Sequence, residues 1–252
     1  MPDQIYKQLN EARNTGQKWL AVLIDPENIN SREELLTLLG TCSYAKVNLL
    51  LVGGSIVRAE KLDLVLQWLK DNTKLPVVLF PGSAIQVNNK ADGILFLSLI
   101  SGRNPDLLIG QHVLAAPGIE QSNLEVISCG YILIDGGKPT SVSYISNTIP
   151  VPADKPDIAA YTALAGEWLG LKCMYLEAGS GAFTPVAEQT IKTVRKKIKV
   201  PLFVGGGIRT RKNLLAAWEA GADVVVVGTA IEKNPDWLIS EEITALQENK
   251  LK

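Results

Sequence analysis

Short runs of Val, Ile and Leu alternate along the chain with stretches where apolar residues return every third or fourth position. Eight such runs stand out, at residues 20–24, 46–52, 76–80, 93–97, 130–134, 172–176, 201–204 and 223–227. Their near-continuous apolar character is that of strands buried on both faces, as in a parallel sheet. Residues 33–39, 62–69, 187–198 and 213–220 carry the helical spacing instead. Start signals agree with them: Asn30-Ser31 precedes Glu33-Glu34, Thr184-Pro185 precedes Glu188, and Thr210 precedes the last long helical repeat. Eight strands, each followed by a helical or loop unit, predict an α/β protein of the (β/α)8 TIM-barrel class. A doubly wound sheet, usually of about five or six strands, ranks second. Two connections are irregular. Residues 98–125 form a long excursion, and residues 135–156 are rich in Gly, Ser, Thr and Pro with no clear helix. Loops of that length in a barrel are read as lids or binding loops, or otherwise as surface insertions.

The length of 252 residues suits one such barrel, so residues 1–252 are expected to form a single domain. With 46% hydrophobic and 20% charged residues, the composition is that of a soluble protein with material for a large core. A net charge of -1 removes the electrostatic case for nucleic-acid binding. Cys42, Cys129 and Cys173 have no metal-binding spacing, which predicts buried thiols in a reducing cytoplasm. The polar N-terminus has no signal-peptide core, and no apolar run approaches the ~20 residues that span a bilayer. His112, the single histidine, is expected to be a surface or packing residue. Chemistry therefore falls to carboxylates, hydroxyls, backbone dipoles and a hard cation.

The strongest local signal is Gly205-Gly206-Gly207, at the carboxyl end of the seventh predicted strand. Glycines there let the backbone approach an anion closely and offer several N–H donors. Gly228-Thr229 repeats the device after the eighth strand, where the following helix start adds its dipole. Phosphate at these two loops is a recurrent arrangement in this barrel. After the sixth strand comes Tyr175-Leu176-Glu177-Ala178-Gly179-Ser180-Gly181, which places Glu177 at the barrel mouth. Glu177 is either a substrate-binding carboxylate or the partner of a loop cation. Asp25 and Ser55 end the first two strands and form an oxygen pair of the kind that helps hold Mg2+ beside phosphate oxygens. The competing reading makes Asp25 a cap on the following helix.

These segments, in this order, resemble the geranylgeranylglyceryl phosphate synthases and their bacterial heptaprenylglyceryl relatives. Ile132-Leu133-Ile134-Asp135-Gly136-Gly137 and Ser146-Asn147-Thr148-Ile149-Pro150 extend the likeness over nearly the whole chain. The resemblance implies transfer of a prenyl group, most often geranylgeranyl, from its diphosphate to the C3 hydroxyl of sn-glycerol 1-phosphate. It implies that Asp25 and Ser55 place Mg2+ on the diphosphate. By the same implication residues 175–181, 205–207, Gly228 and Thr229 hold glycerol phosphate, with Glu177 accepting the hydroxyl proton. An apolar trench is needed for the tail, and the small-residue stretch 159–166 is either one wall of it or ordinary helix packing. A homo-oligomer is expected, as is a passing membrane contact when product leaves. A longer prenyl donor is a variant of the same reading. Two alternatives differ in kind: an isomerase or lyase of a phosphorylated sugar or amino-acid intermediate, and a silent phosphate-binding scaffold. The isomerase reading needs a second proton-transfer group, but Lys46 and Lys172 begin strands and Asp135 is the only further strand-end acid.

Overall fold

In the computed structural model, residues 4–228 are described, together with Ala230, Ile231, Leu238 and Gln247. The strands are β1 (Trp19–Ile24), β2 (Leu49–Val52), β3 (Val77–Leu79), β4 (Gly93–Leu99), β5 (Glu125–Leu133), β6 (Cys173–Glu177), β7 (Leu202–Gly205) and β8 (Val224–Val227). They pair in parallel and in sequence order, and β1 closes on β8 with Ala21 opposite Val226. The expected (β/α)8 barrel is what forms.

The helices are α1 (Gln4–Thr15), α2 (Arg32–Tyr44), α3 (Ala59–Asn72), α4 (Gln111–Glu120), α5 (Ser141–Ser146), α6 (Pro156–Trp168), α7 (Glu188–Arg195) and α8 (Arg211–Glu219). Ser31 caps α2 by accepting from the Glu34 N–H at 3.2 Å, and Thr210 caps α8 in the same way from Asn213. Such a cap is worth ~1 kcal/mol. Thr184 does not cap α7; Ala187 holds that position without a side-chain hydrogen bond, because the Gly-rich segment before it runs on as loop. Between β3 and β4 there is only a short 3-10 turn, Ala84–Gln86.

Strand alternation divides the apolar residues into two cores. Leu20, Leu50, Leu176 and Val204 face outwards against the helices. Ala21, Leu51, Cys129, Cys173 and Phe203 fill the barrel interior. Helix α1 closes the floor of the barrel with Ile5, Leu9 and Ala12. Three apolar positions in twelve residues make a weak stripe, which is why the pattern alone does not announce this helix. Its first turn is held by Glu125, whose carboxylate accepts the N–H groups of Ile5 and Tyr6, each at 2.7 Å. Glu125 and Ser128 interrupt the apolar run of β5, so the strand starts five residues before the expected position 130. On the same floor Arg195 pairs with Asp223 at 2.7 Å, and Asp223 also accepts the Leu202 N–H.

Both long connections hold more structure than their composition suggested. The first contains one wide helical turn, Asp106–Gly110, running into α4 despite Pro117. The second contains α5, capped by Thr140 and Ser143, and the start of α6. His112 is buried on α4, edge-on to Phe96 and 3.0 Å from the Ser98 hydroxyl, a packing role as expected.

Candidate active site

The same alternation builds the site. Inward positions on β6 run Cys173, Tyr175 and then Glu177; on β7, Phe203 and then Gly205. Leu23 leads to Asp25 on β1, Leu51 to Gly53 on β2, and Val226 to Gly228 on β8. The uppermost inward layer thus brings two carboxylates and the glycine loops to the carboxyl-end mouth. Leu176 and Ala178 turn outwards into the helix-facing core, so they offer the site only backbone. Ser180 and Gly181 stand exposed at the mouth. Thr229 lies outside the described residues.

Glu177 is buried, and its Oε1 accepts the Gly179 N–H at 2.7 Å. Burial pushes its carboxyl up to about 7, against the opposing pull of the Gly179 N–H and the Tyr175 hydroxyl. Tyr175 is fully buried, nearly parallel to Phe203 with centroids 5.9 Å apart, and tilted against Phe80 and Tyr131. Burial and the charge of Glu177 push its phenol upwards, which keeps it a neutral donor. Its hydroxyl is directed at the Glu177 carboxyl but does not reach full hydrogen-bond geometry with any described residue. A buried hydroxyl left in that state beside a raised carboxyl is a polar pair awaiting a ligand.

The glycine triplet is tighter than a phosphate loop alone requires. A Cβ on Gly205 would lie 2.3 Å from Tyr175 Oη and 3.2 Å from Glu177 Oε2. One on Gly206, where φ is +78°, would lie 2.2 Å from Glu177 Oε1. These two glycines let β7 pass against the acid. At Gly228 a Cβ would meet only Leu23 among the described residues, at 3.7 Å, an ordinary van der Waals contact. Open space above a strand end is what an incoming ligand needs.

Across the mouth, Asp25 Oδ1 accepts the Glu27 N–H at 3.0 Å, so the capping role is real. The carboxylate also borders Gly54, whose missing Cβ leaves a notch 3.0 Å from Oδ2. Burial raises the Asp25 carboxyl, and the Glu27 charge adds to the rise. Ser55 follows directly on Gly54. Glu27 takes Arg58 in a bidentate pair, 2.8 Å at its shortest, and so ties the β1 loop to the β2 loop. Gln86 is buried below, donating to Gly54 O and accepting from Gly82 N. Among the described residues no three His, Cys, Asp or Glu side chains cluster as a metal site.

Several site residues lay beyond the motifs. Tyr131 faces inwards on β5, its ring 5.5 Å from Tyr175, and burial with the Glu177 charge raises its phenol. Strand period two from Leu133 was the available signal. Thr140 presses on Gly179, where a Cβ would fall 2.4 Å from its Cγ2. Arg209 donates to the carbonyls of Gly181 and Ala182. No sequence spacing announces these contacts, since they join separate loops.

Residues 12–248 match the PcrB family. The geranylgeranylglyceryl phosphate synthase of Chitinophaga pinensis is 50% identical over 246 residues, covering 98% of this chain and 97% of that protein. The enzyme of the same name from Pyrococcus furiosus is 44% identical over 212 residues, covering 84% and 83%. A crystal structure of (S)-3-O-geranylgeranylglyceryl phosphate synthase from Thermoplasma acidophilum, in complex with its substrate sn-glycerol-1-phosphate, superposes with a TM-score of 0.90. It is 29% identical and the match covers 98% of this chain and 99% of that one. With its barrel, its glycine loops and its buried strand-end acid, the chain belongs to the PcrB family and stands among the geranylgeranylglyceryl phosphate synthases.

Proposed function

We propose that this protein transfers a geranylgeranyl group from geranylgeranyl diphosphate to the C3 hydroxyl of sn-glycerol 1-phosphate. The products are an ether-lipid precursor and diphosphate. The observation that carries the chemistry is Glu177, a buried acid at the mouth whose carboxyl is pushed up to about 7. A base with that affinity takes a proton from a bound hydroxyl at neutral pH and releases it again. The allylic C–O bond to diphosphate breaks, the glycerol oxygen forms the new ether bond, and its proton passes to Glu177. Tyr175 orients the acceptor's hydroxyls, and Ser180, Gly181, Gly205–Gly207, Gly228 and Thr229 cradle its phosphate.

Asp25 and Ser55 are the residues that would hold Mg2+, and when bound the ion neutralises charge on the leaving diphosphate. The outward face of α6 supports the tail-binding part of the reading. Ala159, Ala160 and Ala163 pack inwards. Ile158, Tyr161 and Leu169 line a groove of about 570 Å3 with Ile100 and Leu108. Exposed Val113, Leu114 and Trp168 on the neighbouring helix surfaces support a homo-oligomer. The three buried free cysteines support a reducing, cytoplasmic setting, with membrane contact only as product departs. No helix among the described residues is long and apolar enough to cross a membrane.

The test supplies purified protein with sn-glycerol 1-phosphate, Mg2+ and a mixture of farnesyl, geranylgeranyl and heptaprenyl diphosphates, and weighs the product. Geranylgeranylglyceryl phosphate that depends on both acceptor and metal supports the proposal; no product from any donor overturns it.

A further inference from the structure

We infer that Lys138 is a binding residue for the acceptor's phosphate, closing the cradle beside Gly181. This rests on the reading of the glycine loops as the phosphate site.

Two loops are zipped together at this point of the mouth. Phe183 and Thr184 both donate their N–H groups to Gly136 O, at 2.9 and 3.2 Å. Thr140 packs on Gly179 from above. Asp135 accepts the Gly137 N–H at 2.9 Å and shapes the turn that carries Lys138. The result delivers the Lys138 ammonium to 3.5 Å from where a Cβ on Gly181 would stand, and 5.0 Å above the Phe183 ring.

The electrostatics call for a cation there. A phosphate monoester carries about -1.5 to -2 charges at neutral pH. The cradle of Ser180, Gly181, Gly205–Gly207, Gly228 and Thr229 offers N–H dipoles and neutral hydroxyls but no positive charge, and Glu177 behind it is acidic. Arg209 touches the same loop but is committed to the carbonyls of Gly181 and Ala182. Lys138 pairs with no carboxylate among the described residues, and its ammonium lies over the exposed Phe183 ring. A flexible, strongly hydrated point charge beside a Gly-Ser-Gly loop is the form in which lysine meets phosphate elsewhere. The diphosphate site proposed at Asp25 lies across the mouth, so the two anions would draw on different residues.

The experiment measures binding of sn-glycerol 1-phosphate, and separately of inorganic phosphate, to the whole protein by titration calorimetry without donor. Lys138→Met should weaken both by at least about tenfold, the lower end for losing a hydrogen bond to a charged group. Lys138→Arg should stay within about threefold of the parent, and the KM for the prenyl diphosphate should not move. Phe183→Leu removes the ring beneath the ammonium while keeping the charge, and should bind nearly as the parent does. Parent-like affinity in Lys138→Met overturns the inference. So does equal loss in Lys138→Met and Phe183→Leu with a lowered Tm, which marks a loop brace. If the parent binds phosphate through Lys138 but does not take glycerol phosphate, the proposed function fails while this assignment stands.

Discussion

Replacing Glu177 by Gln separates the charge of this side chain from its shape. A glutamic acid ordinarily titrates near 4.5, and here burial pushes the carboxyl up to about 7. At 1.36 kcal/mol per tenfold change in proton affinity, that rise sets ~3 kcal/mol against the ionised folded form. Water entering the mouth screens the charge, so this is an upper figure. The sign follows from proton counting. Below about pH 4.5 the group is protonated in both folded and unfolded chains and contributes nothing. Between there and about 7 the folded chain holds the extra proton, so the acid lowers stability as pH rises. Above about 7 the loss is complete. Glu177→Gln cannot ionise, yet its amide oxygen still accepts from Gly179. The variant should match the parent in calorimetric melts near pH 4.5 and exceed it near pH 8. The gain is up to ~3 kcal/mol, or roughly 6–12 °C for a chain of this size. Turnover should fall by about 10²–10⁴ near pH 8, and the gap should narrow as pH drops below about 7, because parental turnover climbs with pH to a plateau just above 7 whereas the variant has no carboxyl to titrate. A variant no more stable than the parent near pH 8 refutes the raised proton affinity. Parental turnover in the variant removes Glu177 from proton transfer.

Other substitutions test the surrounding geometry. Gly205→Ala drives a methyl group to within 2.3 Å of Tyr175 Oη; it should cost about 1–3 kcal/mol in urea unfolding and most of the turnover. Gly228→Ala meets only Leu23 among the described residues, at 3.7 Å, so its melting should stay parental while calorimetry reads weaker glycerol phosphate binding. Asp25→Asn should raise the Mg2+ concentration needed for half-maximal turnover by at least about tenfold without lowering Tm, since burial already disfavours that charge. Glu125→Ala leaves two N–H groups of α1 without their acceptor. It should cost about 1–3 kcal/mol and leave turnover per folded molecule unchanged.

The barrel was legible because its strands are buried on both faces. Val224–Val227 has no polar position, and neither does Leu49–Val52, so a run of apolar residues means a strand whichever side is inward. Where a strand does a second job the signal fails. β5 begins at Glu125 because that acid caps α1, and no local pattern carries a contact 120 residues away. Helices α4 and α5 were hidden by their composition, one holding Pro117 and the other made largely of Ser and Tyr. The site divides along the same line. Glu177, Tyr175 and the glycine triplet sit on strand ends, where register and period fix both depth and direction. Thr140, Gln86, Arg209 and Lys138 act between loops, and their partners are set only when the barrel closes. The glycine triplet was read as a cradle for an anion; two of its members answer first to Tyr175 and Glu177.

That division has an energetic counterpart between the two ends of the barrel. On the floor three charges are paired, Glu125 with two N–H groups, Asp223 with Arg195 and the Leu202 N–H, and Lys18 with the Ala222 carbonyl, while Arg13 Nε and Trp19 Nε1 are buried without a partner among the described residues. At the mouth the balance is left incomplete. Glu177 is buried without a cation, Asp25 is desolvated beside a like charge, and the Tyr175 hydroxyl is buried without a completed bond. Each of these weakens the folded state on its own, and all three line one opening. Glu177 and Asp25 each keep one N–H donor but face no cation among the described residues, so the mouth is where substrate and metal can add partners. Substrate and metal should raise Tm according to their affinity for the folded chain, and a cation that answers Glu177 should also lower its proton affinity. The calorimetric signature is proton release on binding near pH 7, largest in the parent and absent in Glu177→Gln.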